Sequence, residues 1–156
     1  MRTADEVRAL LAQAPFDTSL GLTETEIAAT RPIYRFPSGE PGYRTGLSAY
    51  RTPLGAGFCI SFAVGVSCSR TPPTPAEPLL GLALDPDAER ADEPFVVISM
   101  TAPGVRSVTY TCAGSTYPAT LTGGVAVFIA PDSSLSADDC IGNAVFSSGV
   151  VVSKQI

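Results

Sequence analysis

Apolar and polar residues alternate along 57–68, the longest nearly uncharged apolar stretch of the chain. Its large apolar residues, which alternate with smaller or more polar ones, are Phe58, Ile60, Phe62, Val64 and Val66. Successive side chains of a strand point to opposite faces, so this period of two is typical of a half-buried β segment. A face this rich in aromatic and β-branched residues is expected to lie on a core.

Two short helices are predicted before this stretch. Residues 3–6 and 23–26 each have a threonine three positions before a glutamate, the capping-box pattern that begins helices. Apolar residues follow the first box at helical spacing until Pro15, and the second helix ends before Pro32. We expect both helices to pack on the β core; a stalk towards a membrane anchor is the alternative.

From Ile33 onward the chain is predicted to be extended, with short apolar runs separated by turns that contain glycine or proline. The predicted strands after the central stretch are 79–84, 95–100, 105–112, 117–121, 125–130 and 145–153, the last with a bulge at Gly149. Such spacing predicts a mainly β fold, an antiparallel β-sandwich or barrel-like domain with one or two short N-terminal helices. The predicted division is a helical segment 1–30 and a single β-rich globular unit 31–156.

The register of the central stretch has two alternatives. If 58–66 is one unbroken strand, Cys59 and Cys68 lie roughly 30 Å apart at ~3.3 Å per residue, and no disulfide can join them. If the chain turns near 63–65, the two cysteines meet across a hairpin. Gly65 permits such a turn, whereas the smooth alternation is an argument against it.

The chain has four cysteines, Cys59, Cys68, Cys112 and Cys140, and no C-x-x-C spacing. An even number in a β sequence rich in glycine, proline, serine and threonine favours two disulfide bonds in an oxidising compartment; buried free thiols are the alternative. No secretory signal opens the sequence, and no stretch reaches the length of a membrane span. Disulfide bonds would therefore imply an upstream signal or anchor, and a cytosolic protein with four thiols is the competing interpretation.

Three Tyr-Arg dipeptides, Tyr34-Arg35, Tyr43-Arg44 and Tyr50-Arg51, lie between residues 31 and 70, where five arginines and one acid give a local charge of +4. Aromatic rings beside guanidinium groups suit an anionic ligand such as a glycan, a phosphate or a nucleic acid. The alternative interpretation is structural, because neighbours in a strand face opposite ways and would place tyrosine inward and arginine outward.

The overall net charge of -5 is an argument against a nucleic-acid partner. The positive stretch 31–70 and the negative stretch 77–93, with six acids and one arginine, are also able to complement each other between subunits. Self-association is therefore a further hypothesis.

Histidine is absent, which excludes Ser-His and Cys-His nucleophile pairs, histidine general bases and histidine-bound zinc. Residues 85–96 begin like a calcium loop, but Arg90 and Val96 stand where glycine and glutamate are needed. A carboxylate-based activity or a cation site would fall to Asp132, Asp138 or Asp139, for which a solvated loop is the default interpretation. We expect no enzyme activity, no cofactor and no metal.

Three motifs resemble the extracytoplasmic domains of uncharacterised, usually membrane-anchored proteins of high-GC bacteria. They are the Tyr-x-x-Pro-Leu-Gly-x-Gly-Phe-Cys run that ends at Cys59 with Cys68 close behind, Ala-Pro-Gly-Val-Arg-Ser-Val at 102–108, and Gly-Val-Ala-Val-Phe at 124–128. The chain departs from that pattern because Pro103-Gly104 lacks an intervening aspartate and because Cys112 and Cys140 are additional.

The resemblance covers about residues 47–130 and implies an exterior-facing β module with a Cys59–Cys68 link, so we favour the hairpin. The expected function is a non-catalytic extracytoplasmic structural or protein-interaction module of the bacterial envelope. Its expected partner is another protein or a second copy, with a membrane reached only through the upstream anchor. The alternatives are the anionic-ligand binder and the self-assembling surface subunit.

Overall fold

The computed structural model describes residues 3–12, 21–36, 47–62, 65–84 and 94–156. Within these ranges the chain has two short helices and twelve strands, which form three antiparallel four-stranded sheets. The predicted mainly β, sandwich-like fold is therefore confirmed. Residue contacts divide the chain into two compact units, which we name the N-terminal unit, up to residue 72, and the C-terminal unit, residues 73–156.

The N-terminal unit contains both helices and one sheet with the strand order β1-β2-β3-β4. Its elements are α1 (Ala4–Ala12), α2 (Glu24–Ala28), β1 (Arg31–Arg35), β2 (Ser48–Leu54), β3 (Gly57–Phe62) and β4 (Gly65–Ser69). Both predicted capping boxes are present: the Thr3 hydroxyl accepts from the Glu6 amide, and the Thr23 hydroxyl accepts from the Glu26 amide. The helices thus begin where the sequence predicts. The predicted end of α1 at Pro15 lies outside the described residues.

The central stretch is a hairpin of β3 and β4, in which Cys59 lies directly opposite Cys68. The single unbroken strand is therefore wrong. Ser61 pairs with Val66, so Val66 shares the face of Cys59 and Cys68, opposite to the face of Ile60. Every residue of β3 is buried, whereas every residue of β4 is half-buried, so the predicted half-buried character applies to β4 only.

The helices pack on the sheet face that carries Tyr50. Val7 and Leu11 of α1 form a buried cluster with the Tyr50 ring. On the same side of β2, the buried hydroxyls of Thr30 and Thr52 are joined by a 2.7 Å hydrogen bond. Packing of the helices on a β core, rather than a free stalk, is what the structure shows. The helices and β1–β4 lie in one compact unit, so the predicted boundary at residue 30 does not coincide with the division at residue 72.

The C-terminal unit has two sheets with the strand orders β5-β6-β10-β9 and β12-β11-β7-β8. The strands are β5 (Leu79–Leu84), β6 (Val96–Thr101), β7 (Val105–Cys112), β8 (Ser115–Pro118), β9 (Thr120–Thr122), β10 (Val125–Ile129), β11 (Cys140–Phe146) and β12 (Val151–Gln155). Their shared core includes Phe95, Val108, Tyr110, Phe128 and Ala144. The Tyr110 and Phe128 rings stack with centroids 4.5 Å apart, joining the two sheets.

One side of this sandwich is formed by a strand that passes from one sheet to the other. β8 pairs with β7, and after the single residue Ala119 the chain continues as β9, which pairs with β10. The Ala119 amide still donates to the Val108 carbonyl at 2.9 Å, so the change of sheet leaves this amide satisfied. The predicted strand 117–121 is therefore two strands in two sheets.

The last predicted strand is also divided. β11 ends at Phe146 and β12 begins at Val151, with a turn between them in which Gly149 has a φ of 91°. A left-handed φ suits glycine, so Gly149 serves the turn of a hairpin rather than a bulge inside one strand. The single strand 145–153 is thus wrong, and its two halves pair with each other at Val145 and Val151.

Candidate functional site

All four cysteines form disulfide bonds, each between residues directly opposite on neighbouring antiparallel strands. Cys59 pairs with Cys68 at a Cα separation of 4.0 Å, and Cys112 pairs with Cys140 at 4.2 Å. No free cysteine remains. The first bond joins β3 to β4 and the second joins β7 to β11, so each unit contains one cross-link. Two bonds agree with an oxidising compartment, and the free-thiol alternative is wrong for this structure.

The described Tyr-Arg pairs, on β1 and β2, do not converge on one site. Tyr50 is buried beneath α1, while Arg51 is half-buried on the opposite face of β2. Tyr34 contacts the Phe36 ring edge-on at 5.0 Å, and Arg35 is exposed at the end of β1. The third pair, Tyr43 and Arg44, lies outside the described residues.

Arg51 has an unusual environment for a cation. It lies directly opposite Arg31 in the β1–β2 register, and its guanidinium carbon is 5.9 Å from the centroid of the Phe58 ring. Its Nε atom is buried without a hydrogen-bond partner. Burial, followed by repulsion from Arg31, lowers the pKa of Arg51 below its ordinary value. The pair is therefore an electropositive spot in which the charge on Arg51 is held at a cost.

The carboxylates singled out from the sequence act as local turn and cap residues. Asp132 accepts hydrogen bonds from the amide and hydroxyl of Ser134, which lower the pKa of Asp132. Asp138 and Asp139 lie in a single 3₁₀ turn that Ser136 caps. Among the described residues no three acidic or cysteine side chains come together as metal ligands. Residues 85–93 of the calcium-like loop lie outside the described part, and Val96 lies in β6.

The structure shows a surface that the sequence did not predict. It is the side of the β12-β11-β7-β8 sheet that points away from the core, and we name it the outer face. Strand alternation assigns to it the residues that point away from the core. They are Ser107, Thr109, Thr111, Thr116, Pro118, Ile141, Asn143, Val145, Val151, Ser153 and Gln155. None of them has an ionisable side chain.

A chain of neutral hydrogen bonds crosses all four strands of the outer face. Ser153 donates to the Asn143 side-chain oxygen at 2.8 Å, and the Asn143 amide donates to the hydroxyls of Thr109 and Thr111 at 3.3 and 3.2 Å. The Thr111 hydroxyl lies 3.0 Å from that of Thr116. Because each polar group has a partner within the sheet, the face is ordered and needs less reorganisation when another surface covers it.

Exposed aliphatic side chains lie beside this polar ladder. Ile141 is 40% exposed and Val151 is 54% exposed, and both belong to the outer face. Surfaces that other proteins cover are depleted of charge at their centres and combine apolar contact with hydrogen bonds. The outer face has this composition.

Sequence reasoning missed the outer face, although part of its signal was present. Along β7, Thr109 and Thr111 alternate with residues that are buried: Val108, Tyr110 and Cys112. The neighbours of β7 are β11 and β8, and this pairing depends on long-range contacts that the sequence alone does not reveal. The face therefore appears only once the strand order is known.

No protein-family model, curated protein or solved structure matches this chain. The resemblance to extracytoplasmic domains of high-GC bacteria thus stays a prediction. Within the described residues, none of the helices combines the length and apolar character that crossing a membrane requires.

Proposed function

We propose that this chain is a non-catalytic, extracytoplasmic interaction module that binds a protein partner through the outer face. The observation that carries the proposal is the uncharged surface of β12-β11-β7-β8, where Ile141 and Val151 flank the Asn143 ladder. A protein surface can cover these groups without removing a charge from water. Association therefore avoids the large desolvation free energy of a buried charge. The internal hydrogen bonds keep the face in one arrangement.

The size of the face sets the expected strength of binding. Four strands at ~4.8 Å spacing and a seven-residue β11 at ~3.4 Å per residue give roughly 19 by 23 Å, or about 450 Å². A stable interface usually buries about 800 Å² on each partner. The outer face alone therefore supports reversible, micromolar association rather than an obligate complex.

The two cross-links support an extracytoplasmic location for the proposed module. Disulfide bonds persist outside the reducing cytosol, and this chain keeps all four cysteines in such bonds. The resemblance to membrane-anchored bacterial proteins supports the same location. We therefore infer that the module works on the outer side of a bacterial membrane.

Binding can be tested by placing a charge at the centre of the outer face. Immobilised wild-type chain is exposed to envelope extract from the source organism, and captured proteins are cross-linked and quantified. Thr111→Arg introduces a cation into the ladder, and we expect it to weaken capture at least tenfold, or about 1.4 kcal/mol, because a partner surface must then bury that charge. Light scattering on the same samples detects a second copy of the chain as the partner.

Ser133→Arg is the matched control, since Ser133 is exposed in the turn after β10 and adds the same charge elsewhere. This variant should capture the partner as the wild type does. Equal capture by Thr111→Arg and wild type, or a strictly monomeric chain with no specific partner, would refute the assignment. A cooperative thermal unfolding transition in both variants, well above the temperature of the capture assay, separates a lost contact from a lost fold.

A second candidate function rests on Arg31 and Arg51. Their opposed guanidinium groups and the lowered pKa of Arg51 favour an anion that would neutralise both. Retention on a polyphosphate or heparin column should fall with salt, and fall further in Arg31→Gln. Arg106→Gln removes an exposed cation from the C-terminal unit and serves as the control. Equal retention of the two variants would end this alternative.

A further inference from the structure

The sandwich of the C-terminal unit is closed on one side and open on the other. On the closed side, the β8–β9 segment belongs to both sheets. On the opposite side, β5 and β12 are the last strands of their sheets, and each pairs with a single neighbour. Among the strands that the structure describes, none therefore joins β5 to β12 across the interior of the sandwich.

Small residues leave a pocket at this open side. Ala83 of β5 lies opposite the core-facing Val97, so it faces the interior, yet it is exposed. Gly81 allows β5 to approach β6 closely, since a Cβ there would lie 1.9 Å from the Ile98 carbonyl oxygen. Gly142 of β11 also faces inward, and a Cβ there would lie 3.0 Å from the Tyr110 ring. The pocket has a volume of about 180 Å³. An apolar cavity of ~150 Å³ holds benzene, so this space suits a body the size of a six-membered ring.

The walls are mostly apolar, and the neutral polar groups among them have partners. Leu79 and Val97, which belong to the buried core of the sandwich, form apolar walls. The Tyr110 hydroxyl forms a hydrogen bond with the Ser99 side chain, and burial raises the pKa of Tyr110. The Gln155 amide donates to the carbonyls of Asp138 and Cys140.

Among the described residues that line the pocket, Lys154 alone has a charged side chain. It lies opposite Gly142 in the β11–β12 register, so it points to the inner side of the sheet. Its ammonium donates to the Leu79 carbonyl at 3.2 Å, and it makes no ion pair with any described residue. An ammonium has three donors, so a ligand carboxylate can bind it beside this carbonyl.

We propose that this pocket binds a small organic anion, with its carboxylate on Lys154 and an apolar ring-sized body between Leu79 and Val97. The lysine lies at the exposed rim and the apolar walls lie deeper, so the two parts of such a ligand are matched separately. This site is distinct from the outer face, because the residues proposed to hold the ligand, Lys154, Leu79 and Val97, face the interior of the sandwich.

The test compares three ligands of the same shape and different charge. Benzoate, benzamide and benzylamine are titrated into ¹⁵N-labelled full chain with both disulfides intact, and amide shifts are followed by NMR. We expect benzoate to bind about tenfold more tightly than benzamide, since a charge-assisted bond replaces a neutral one, and benzylamine to bind least. The largest shifts should fall on Ser99, Gly142 and Lys154.

Two variants separate charge from shape. Lys154→Glu should reverse the order of affinities, so that benzylamine binds more tightly than benzoate. Arg106→Glu is the control: it makes the same charge change at an exposed position outside the pocket lining and should keep the wild-type order. Ala83→Phe places a ring in the pocket and should abolish binding of all three. The NMR spectrum of each variant reports its fold. Equal affinities for the three ligands, or an unchanged order in Lys154→Glu, would overturn the proposal.

Discussion

Removing the two disulfide bonds separately should destabilise the two units by different amounts. In the chain-entropy description, the stabilisation grows with the number of residues between the joined cysteines. The separations are 9 residues for Cys59–Cys68 and 28 residues for Cys112–Cys140. At 25 °C these loops correspond to about 2.6 and about 3.6 kcal/mol, so the second bond should contribute about 1 kcal/mol more. Either value is a large part of a typical folding free energy of roughly 5–15 kcal/mol.

The measurement uses double alanine variants of each pair in urea, without reductant, followed by hydrogen exchange. Exchange of β3 and β4 amides reports the N-terminal unit, and exchange of β7 and β11 amides reports the C-terminal unit. Each double variant should accelerate exchange in the unit that contained its bond. Wild type treated with reductant is the control, and it should combine both effects.

The order of the two effects is what tests the reasoning. All four cysteines that are replaced are either buried or half-buried, so both variants also lose packing. If the Cys112/Cys140 variant is as stable as the Cys59/Cys68 variant, loop closure does not determine the difference. Native mass spectrometry of the wild type should also find no alkylatable thiol, and four alkylated cysteines would contradict the disulfide structure itself.

Three further changes have specific expected outcomes. Hydrogen bonds from Gly55 and Thr23 lower the pKa of Glu26 below 4.5, so the contribution of Glu26 to folding stability is complete above pH 4.5 and is lost as the pH falls through the lower folded pKa. Glu26→Gln should therefore flatten the dependence of urea-unfolding stability on acid pH, and an unchanged dependence would contradict this reasoning. Gly57→Ala should destabilise the β3–β4 hairpin by roughly 1–3 kcal/mol in thermal unfolding, because a Cβ there would lie 1.9 Å from the Ser69 carbonyl oxygen; a neutral result would refute this contact. Asn143→Ala should cost roughly 1–2 kcal/mol by the same assay, since water replaces only part of its three side-chain hydrogen bonds, and unchanged stability would show that the ladder is not stabilising.

Local sequence signals predicted the elements of this fold better than their connections. The threonine–glutamate boxes at α1 and α2 specify helix starts through contacts three residues apart, which a sequence displays directly. The alternation along 105–112 likewise predicted a strand, and β7 has these bounds. Both signals depend on neighbours in the chain.

The errors arose where tertiary contacts override a local pattern. The 58–66 alternation is continuous in sequence, but the pairing of β3 with β4 puts Val66 on the opposite face from Ile60. Similarly, nothing in the residues around Ala119 marks the passage between sheets, because it depends on where β7 and β10 lie. The outer face and the pocket both depend on this strand order, so neither followed from the sequence.

The leucine-rich margin of the C-terminal unit has a consequence for handling the protein in solution. β5 is an edge strand that reads Leu-Leu-Gly-Leu-Ala-Leu, and such edges recruit strands from other molecules. Lys154 occupies the Leu79 carbonyl and places a cation beside this edge. Neutralising that lysine, whether by substitution or by chemical acylation, removes a gatekeeper against intermolecular strand addition, and concentrated samples should then form fibrillar aggregates sooner than the unmodified chain.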